Sequence, residues 1–275
     1  MDIILLGTGS PIPDPRRAGP ATLVQAGGAN LLFDCGRGVL MRLAAAAVMP
    51  PAISAVVLTH MHSDHITDLN DVITTHWVMN PAPAGLRILG PVGTRTLVET
   101  TLSMLAPDVG YRLEHHADLN HEPQVNVTEL SPGDRVTIGP CQLQAEATEH
   151  SPVRPTLGYR VTHGKAVAAI AGDSVPCRGL DAICAGAGAY VQTVIREDLV
   201  RMTPSRRLQD ILDYHSKVRQ AAETAQKAGV GTLMLTHYVP PLLAGQEDVW
   251  RGMAAEHFAG EIVIGDDLTR VHLED

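Results

Sequence analysis

Four side chains able to bind a metal, His60, His62, Asp64 and His65, fall within six consecutive residues of the stretch Thr59-His-Met-His-Ser-Asp-His65. They follow directly on an apolar run over 53–58 that reads as a buried strand. A strand that ends in a ligand-rich loop holds its donors on a rigid edge, as a metal site requires. Imidazole with carboxylate suits zinc, and also manganese or iron, better than calcium or magnesium. Four donors this close cannot easily converge on one tetrahedral ion. Two adjacent ions suit them better, with His60 and His62 on one and Asp64 and His65 on the other. The plain alternative is a surface loop that happens to be rich in histidine, and four spaced donors after a strand argue against it.

The chain of 275 residues is long enough for one large domain or two small ones, and its 45% hydrophobic content supports a sizeable core. Aromatic residues make up only 3%, so Leu, Val, Ile and Ala must fill that core. A formal charge of −9, from 21 basic and 30 acidic residues, argues against passive electrostatic capture of nucleic acid. Bound divalent cations would offset part of it locally, so an anionic substrate stays allowed. Cys35, Cys141, Cys177 and Cys184 lie far apart with no CxxC pair, and read as reduced thiols of a cytosolic protein. The N-terminal Met-Asp-Ile-Ile-Leu-Leu-Gly lacks a basic segment and reads as a first strand, not a signal peptide. The longest apolar stretch, 43–58, is split by Pro50-Pro51 and cannot span a bilayer. A soluble cytoplasmic protein, with no membrane partner, is the expectation.

Short apolar runs recur at 3–6, 31–33, 56–58, 87–89, 125–130, 136–138, 142–147, 157–161, 167–170, 190–194, 233–235 and 262–264. Most are bounded by Gly, Pro, Asp or Asn, as strands are. Helical spacing is clearest over 217–228, where Val218, Ala221, Ala222, Ala225 and Ala228 line one face. Ser216 is its expected N-cap and Gly229 its stop, and 37–47 and 94–105 are further helix candidates. Strands and helices mix in both halves without a Pro/Gly/Ser linker. The reading is one α/β domain over residues 1–275.

Three further ligand types appear at strand ends: His150 after 142–147, Asp173 after 167–170 in Ala-Gly-Asp-Ser, and His237 after 233–235 in Leu-Thr-His-Tyr. Each taken singly reads as an inert strand-end polar residue; three such events beside the four-ligand loop read as the rest of a site. The His-x-His-x-Asp-His signature at 60–65 resembles the metallo-β-lactamase fold superfamily. The resemblance narrows to the tRNase Z (ribonuclease Z) and arylsulfatase-like branch through Leu6-Gly-Thr-Gly-Ser10, Leu32-Phe-Asp-Cys-Gly36, Gly90-Pro-Val-Gly93, Leu157-Gly-Tyr-Arg160, Ala171-Gly-Asp173, His215-Ser216 and Leu235-Thr-His237, in family order.

The resemblance implies an αββα sandwich, two mixed sheets flanked by helices. It implies one ion, Zn2+ or another divalent ion such as Mn2+, on His60, His62 and His150, and a second on Asp64, His65 and His237, with Asp173 bridging. Such ions lie roughly 3.5–4 Å apart and acidify a water that attacks phosphorus in line. Asp64 would also accept a proton, and His215 would stabilise or protonate the leaving group. Asp34 would orient ligands without binding metal. The family also implies a homodimer.

The chain departs from the branch in places. The family's basic, glycine-rich arm belongs between the positions of His150 and Asp173, where only 22 residues lie, so the arm is expected to be absent. Val191-Gln-Thr-Val194 replaces the family's His-Glu-Ala-Thr, Val239-Pro-Pro-Leu242 its Ser-x-Arg-Tyr, and Asp34-Cys-Gly-Arg37 its Asp-Cys-Gly-Glu. Basic candidates to grip phosphate are Arg16, Arg17, Arg154, Arg201, Arg206 and Arg207, each more ordinary as solvated surface. The expectation is a dinuclear-zinc phosphodiesterase, either a tRNase Z-type endoribonuclease acting on precursor tRNA 3′ trailers or a broader enzyme of phosphodiester substrates. Its rivals are an arylsulfatase- or lactonase-like hydrolase of a small organic substrate, and a non-catalytic relative that binds nucleic acid or protein.

Overall fold

The computed structural model describes residues 1–80 and 82–274, so Pro81 and Asp275 of the expected 1–275 domain lie outside the described residues. The strands are β1 (Asp2–Gly7), β2 (Ala21–Ala26), β3 (Ala29–Phe33), β4 (Ala55–Val57), β5 (Leu86–Pro91), β6 (Val125–Leu130), β7 (Arg135–Ile138), β8 (Cys141–Ala147), β9 (Leu157–His163), β10 (Ala166–Ile170), β11 (Ala189–Ile195), β12 (Thr232–Val239), β13 (Glu261–Ile264) and β14 (Thr269–His272). The α-helices are α1 (Val39–Ala45), α2 (Ser63–Ile66), α3 (Leu69–Met79), α4 (Thr94–His115), α5 (Arg178–Cys184), α6 (Glu197–Met202), α7 (Arg206–Gln209), α8 (Val218–Ala228) and α9 (Glu247–Ala255).

Two sheets form, in the orders β14-β1-β2-β3-β4-β5-β6 and β13-β12-β11-β10-β9-β8-β7. Each is half parallel and half antiparallel: β3 to β6 and β10 to β13 run parallel, the remaining pairs antiparallel. Side chains alternate across a strand, and here both faces find apolar partners. Ile3 and Leu5 point between the sheets, against a core that includes Phe33, Tyr159, Val161 and Val191. Ile4 and Leu6 point outward onto Val39, Leu43, Val72 and Val98 of the covering helices. On the second sheet Tyr190, Leu233 and Leu235 face α5, α8 and α9, with Trp250 fully buried. Burial on both faces is why these strands read as continuous apolar runs rather than alternating ones. The observed architecture is the expected αββα sandwich of two mixed sheets with helices outside.

Every expected strand is present. Several details differ from expectation. The helix expected over 94–105 runs on to His115, carrying Pro107 inside it. Ser216 does not cap α8. Lys217 takes that position, with the Gln220 side chain accepting from the Lys217 N–H at 3.1 Å. The Ser216 hydroxyl instead donates to the Ser174 carbonyl at 2.7 Å, tying the approach to α8 to the loop after β10. Gly229 ends α8 in the left-handed conformation (φ 66°), where glycine has no steric penalty. No described helix is long and apolar enough to cross a membrane.

Candidate metal centre

The parallel halves of both sheets end on the same side, and the chemistry-bearing residues sit on those ends. β3 leads into Asp34, β4 into 58–65, β10 into Asp173, and His237 stands near the end of β12. Strand ends of a mixed α/β sheet are where ligands bind, because the loops there are free to carry polar groups while the strands stay rigid. Asp34 and His237 both adopt positive φ, 60° and 53°, which turns each side chain out of its strand's alternation.

Asp173 Oδ2 is the centre of the cluster. It lies 3.4 Å from His65 Nε2, 3.6 Å from His237 Nε2, 3.7 Å from His150 Nε2, 3.8 Å from His60 Nε2 and 3.9 Å from His215 Nδ1. His62 joins through Nδ1, 3.2 Å from His150 Nε2, and Asp64 through Oδ2, 3.2 Å from His237 Nε2. The donor atoms fall into two groups, each within 4.8 Å: His60, His62, His150 and Asp173 in one, Asp64, His65 and His237 in the other. Asp173, His215 and His237 form a third such group.

The donor set fits divalent ions. Donors around a tetrahedral zinc with bonds near 2.0 Å stand roughly 3.3 Å apart, the spacing of the shorter contacts here. His60 Nε2, His65 Nε2 and Asp173 Oδ1 are buried with no hydrogen-bond partner among the described residues, an arrangement that is costly without a cation to face. The outer nitrogens of His150, His65 and His60, by contrast, are held. His150 Nδ1 donates to the Tyr214 carbonyl at 2.8 Å, which leaves Nε2 as the inward lone pair. His65 Nδ1 meets Asp34 Oδ2 at 2.8 Å, and His60 Nδ1 meets the Thr59 hydroxyl at 3.0 Å. Such outer contacts set tautomer and ring angle, and they raise ligand basicity.

Electrostatics inside the cluster follow from burial and from Asp173. Burial holds His60 well below the usual histidine range, helped by neighbouring His65. Burial lowers His62 as well, with His150 adding to it. Burial opposes charge on His65, but Asp173 and Asp34 outweigh it and hold that proton well above the ordinary range. His237 is raised in the same way: Asp173 and Asp64 overcome its burial. Burial works against the charge of Asp173 too, yet His237, His65 and His215 hold its carboxyl well below the usual range. Protons and cations compete for the same inward atoms. His215 is pushed down to about 3 by burial, so its ring is neutral at ordinary pH.

All eight residues expected at the site, counting His215, are thus brought to one place. Thr59, the Tyr214 carbonyl and Gly172 were not foreseen. Thr59 donates to Asp34 from its backbone N–H and its hydroxyl, at 2.8 Å each, so it braces the carboxylate that braces His65. The only sequence signal for it was its place directly before His60. The cluster opens into a cavity of about 540 Å3 walled partly by Pro11, Ile12, Leu208, Ile211 and Val239. His150 also borders a second cavity, of about 410 Å3, with Arg154 on its rim.

The basic candidates divide. Arg16 is engaged by Asp14 at 2.9 Å, Arg17 by Thr8 and Asp266, and Arg201 by Glu197. Between His150 and Asp173 the chain consists of a turn, β9, the two residues Gly164-Lys165, β10 and Ala171-Gly172.

Comparison with known proteins agrees with this geometry. Residues 29–238 match the Beta-lactamase superfamily domain. Ribonuclease Z of Mycobacterium avium (strain 104) is 55% identical over 276 residues, spanning 100% of this chain and 99% of that protein. Ribonuclease Z of Mycolicibacterium gilvum (strain PYR-GCK) is 55% identical over 275 residues, covering 99% of this chain and 96% of that protein. Among solved structures, the metallo-beta-lactamase fold protein YhfI from Bacillus subtilis superposes with a TM-score of 0.76 at 22% identity, over 98% of both chains. The short form of human tRNase Z gives 0.74 at 21% identity over 100% of both, a likeness of fold. Because more than half of its residues are shared with those mycobacterial relatives from end to end, the chain belongs to the ribonuclease Z family of the beta-lactamase superfamily.

Proposed function

We propose that this protein is a tRNase Z-type endoribonuclease that cleaves the 3′ trailer of precursor tRNA. The observation that carries the reading is the double donor set around Asp173, facing a cavity large enough for a nucleotide. His60, His62 and His150 would hold one Zn2+, Asp64, His65 and His237 a second, and Asp173 would be shared between them. Ions held there supply Lewis acidity to the scissile phosphate and bring the pKa of a water toward neutrality.

The protein's own residues do the rest. Asp64, at the floor of the cavity and within reach of His237, accepts the proton released as the water attacks. His215, neutral and with Nδ1 uncommitted, donates a hydrogen bond toward the leaving oxygen. Ile12, Ile211 and Val239 keep bulk water from the reacting phosphate and lower the local dielectric, which strengthens each polar contact. Asp34 and Thr59 hold His65 at its angle. We further infer that residues 1–275 act as one unit, without the arm, as a cytoplasmic homodimer.

The test is cleavage of a 3′-extended precursor tRNA beside a chromogenic phosphodiester by metal-loaded protein, with metal content measured on the same sample. Cleavage of both supports the reading. Hydrolysis of the small diester alone would keep the metal chemistry and remove tRNA as the substrate. Two retained ions with no ester cleaved would end the hydrolase reading.

A further inference from the structure

Arg207 is the one arginine of the six basic candidates that lines the cavity of the metal centre, together with Asp64, Asp173 and His215. It sits on the short α7, which Ser205 caps by accepting from the Leu208 N–H at 3.3 Å. Its side chain is exposed and takes part in no hydrogen bond or ion pair among the described residues, unlike Arg16, Arg17 and Arg201. Leu208 and Ile211 from the same segment pack towards Val239 and Val200, which fixes the backbone that carries Arg207. The rest of the lining is apolar side chains, the carboxylates and imidazoles of the cluster, and the hydroxyls of Ser63, Ser205 and Tyr214, so Arg207 is the one arginine or lysine on it.

A guanidinium with no protein partner on the rim of this cleft is free to receive an anion that enters it. The catalytic phosphate is already accounted for by the cluster. We propose that Arg207 binds the phosphate next to the scissile one in a polynucleotide, with Pro11, Ile12 and Ile211 presenting an apolar wall to the intervening base. The inference rests on the phosphodiesterase reading and deepens it. It assigns the cleft a substrate of at least two consecutive phosphates, and it supplies a local grip in a chain whose net charge is −9. Guanidinium suits this role because its planar fork donates two parallel hydrogen bonds to one phosphate. Arg206, the adjacent residue, is also exposed but does not line the cavity, so it serves as an internal control for surface charge.

The experiment measures binding of a fluorescein-labelled, phosphorothioate-linked RNA pentanucleotide, which resists cleavage, to metal-loaded full-length protein by anisotropy across a salt series. Arg207→Ala is expected to weaken binding about tenfold, the effect of one charge-assisted contact, and to reduce the log–log salt slope by about 0.7, the value for one phosphate on a single strand. Arg207→Lys keeps the slope but recovers only part of the affinity, and Arg206→Ala moves neither quantity. A change in fold or cleft shape would lower affinity without taking one contact from the salt slope. Equal effects of Arg206→Ala and Arg207→Ala, no effect of Arg207→Ala, or no binding by wild-type protein would each overturn the assignment. Wild-type protein that binds through Arg207 yet cleaves no precursor tRNA would instead sink the tRNase Z reading and leave the phosphate contact standing.

Discussion

The Asp34 carboxylate accepts from His65 Nδ1 at 2.8 Å through Oδ2 while its two oxygens also take the Thr59 hydroxyl and N–H, each at 2.8 Å. One buried side chain therefore sets the angle of the His65 imidazole and anchors the residue before His60. Asp34→Asn tests this, because asparagine tolerates the same positive φ but turns one acceptor into a donor aimed at a donor. We expect the affinity for the ion on His65 to fall by about 10–100-fold. Chelator competition with metal analysis reads it; unchanged affinity would show that His65 needs no such support.

Gly172 makes a second, purely steric demand. Its φ is 65°, and a Cβ there would stand 2.7 Å from Thr59 Cβ and 2.9 Å from Thr59 Oγ1. Gly172→Ala combines left-handed backbone strain with overpacking of a buried threonine, and is expected to cost about 2–4 kcal/mol of stability. Thermal unfolding with and without metal checks it. Displacement of Thr59 should also weaken metal binding, so the loss should be larger in the loaded protein than in the stripped one.

Which parts of this were legible in the sequence follows from how local each signal is. His60 to His65 lie within six consecutive residues, across the loop after β4 and the first turn of α2, so their spacing alone announced a site. His150, Asp173 and His237 each follow an apolar run, but only the topology that ends β4, β10 and β12 on one side brings them to Asp173 Oδ2. The Tyr214 carbonyl left no trace, since a backbone acceptor has no residue-type signature, and Gly172 entered only as part of Ala171-Gly-Asp173, without its steric role. β2 was missed because Ala21–Ala26 is short and lacks the alternation that marks a half-buried strand, and β14 because Thr269–His272 is half polar. α3 was obscured by His76, a polar residue on the buried face formed with Leu69, Val72, Ile73 and Trp77. α4 was expected to stop before Pro107, yet it continues past it to His115.

His76, on that overlooked helix, supplies a pH prediction away from the metal centre. Its ring is buried against the core, and burial lowers its pKa below the ordinary 6.5. The unfolded chain then binds a proton that the folded one resists. Stability contributed by neutral His76 is full above about pH 6.5 and declines as pH falls toward the lowered folded-state pKa. His76→Gln should flatten the slope of stability against pH over that interval, relative to wild type in chemical denaturation at matched metal loading. Parallel slopes for the two proteins would assign the acid sensitivity elsewhere.

Substitutions at Asp64 and His215 distinguish a proposed ligand from a residue proposed only to meet the substrate. Asp64→Ala removes a donor from the group with His65 and His237 as well as the proposed proton acceptor, so it should lose both an ion and all measurable turnover. His215 stands within reach of Asp173 and His237 but contributes to neither of the two proposed ion sites; His215→Ala should keep two ions while kcat falls by about 10²-fold or more. Elemental analysis beside steady-state kinetics distinguishes them. An ion lost from His215→Ala would make His215 a ligand, since Asp173, His215 and His237 are also close enough to hold one. Two ions retained with unchanged kcat would remove His215 from the chemistry and leave its buried, uncommitted Nδ1 to be satisfied by some other group.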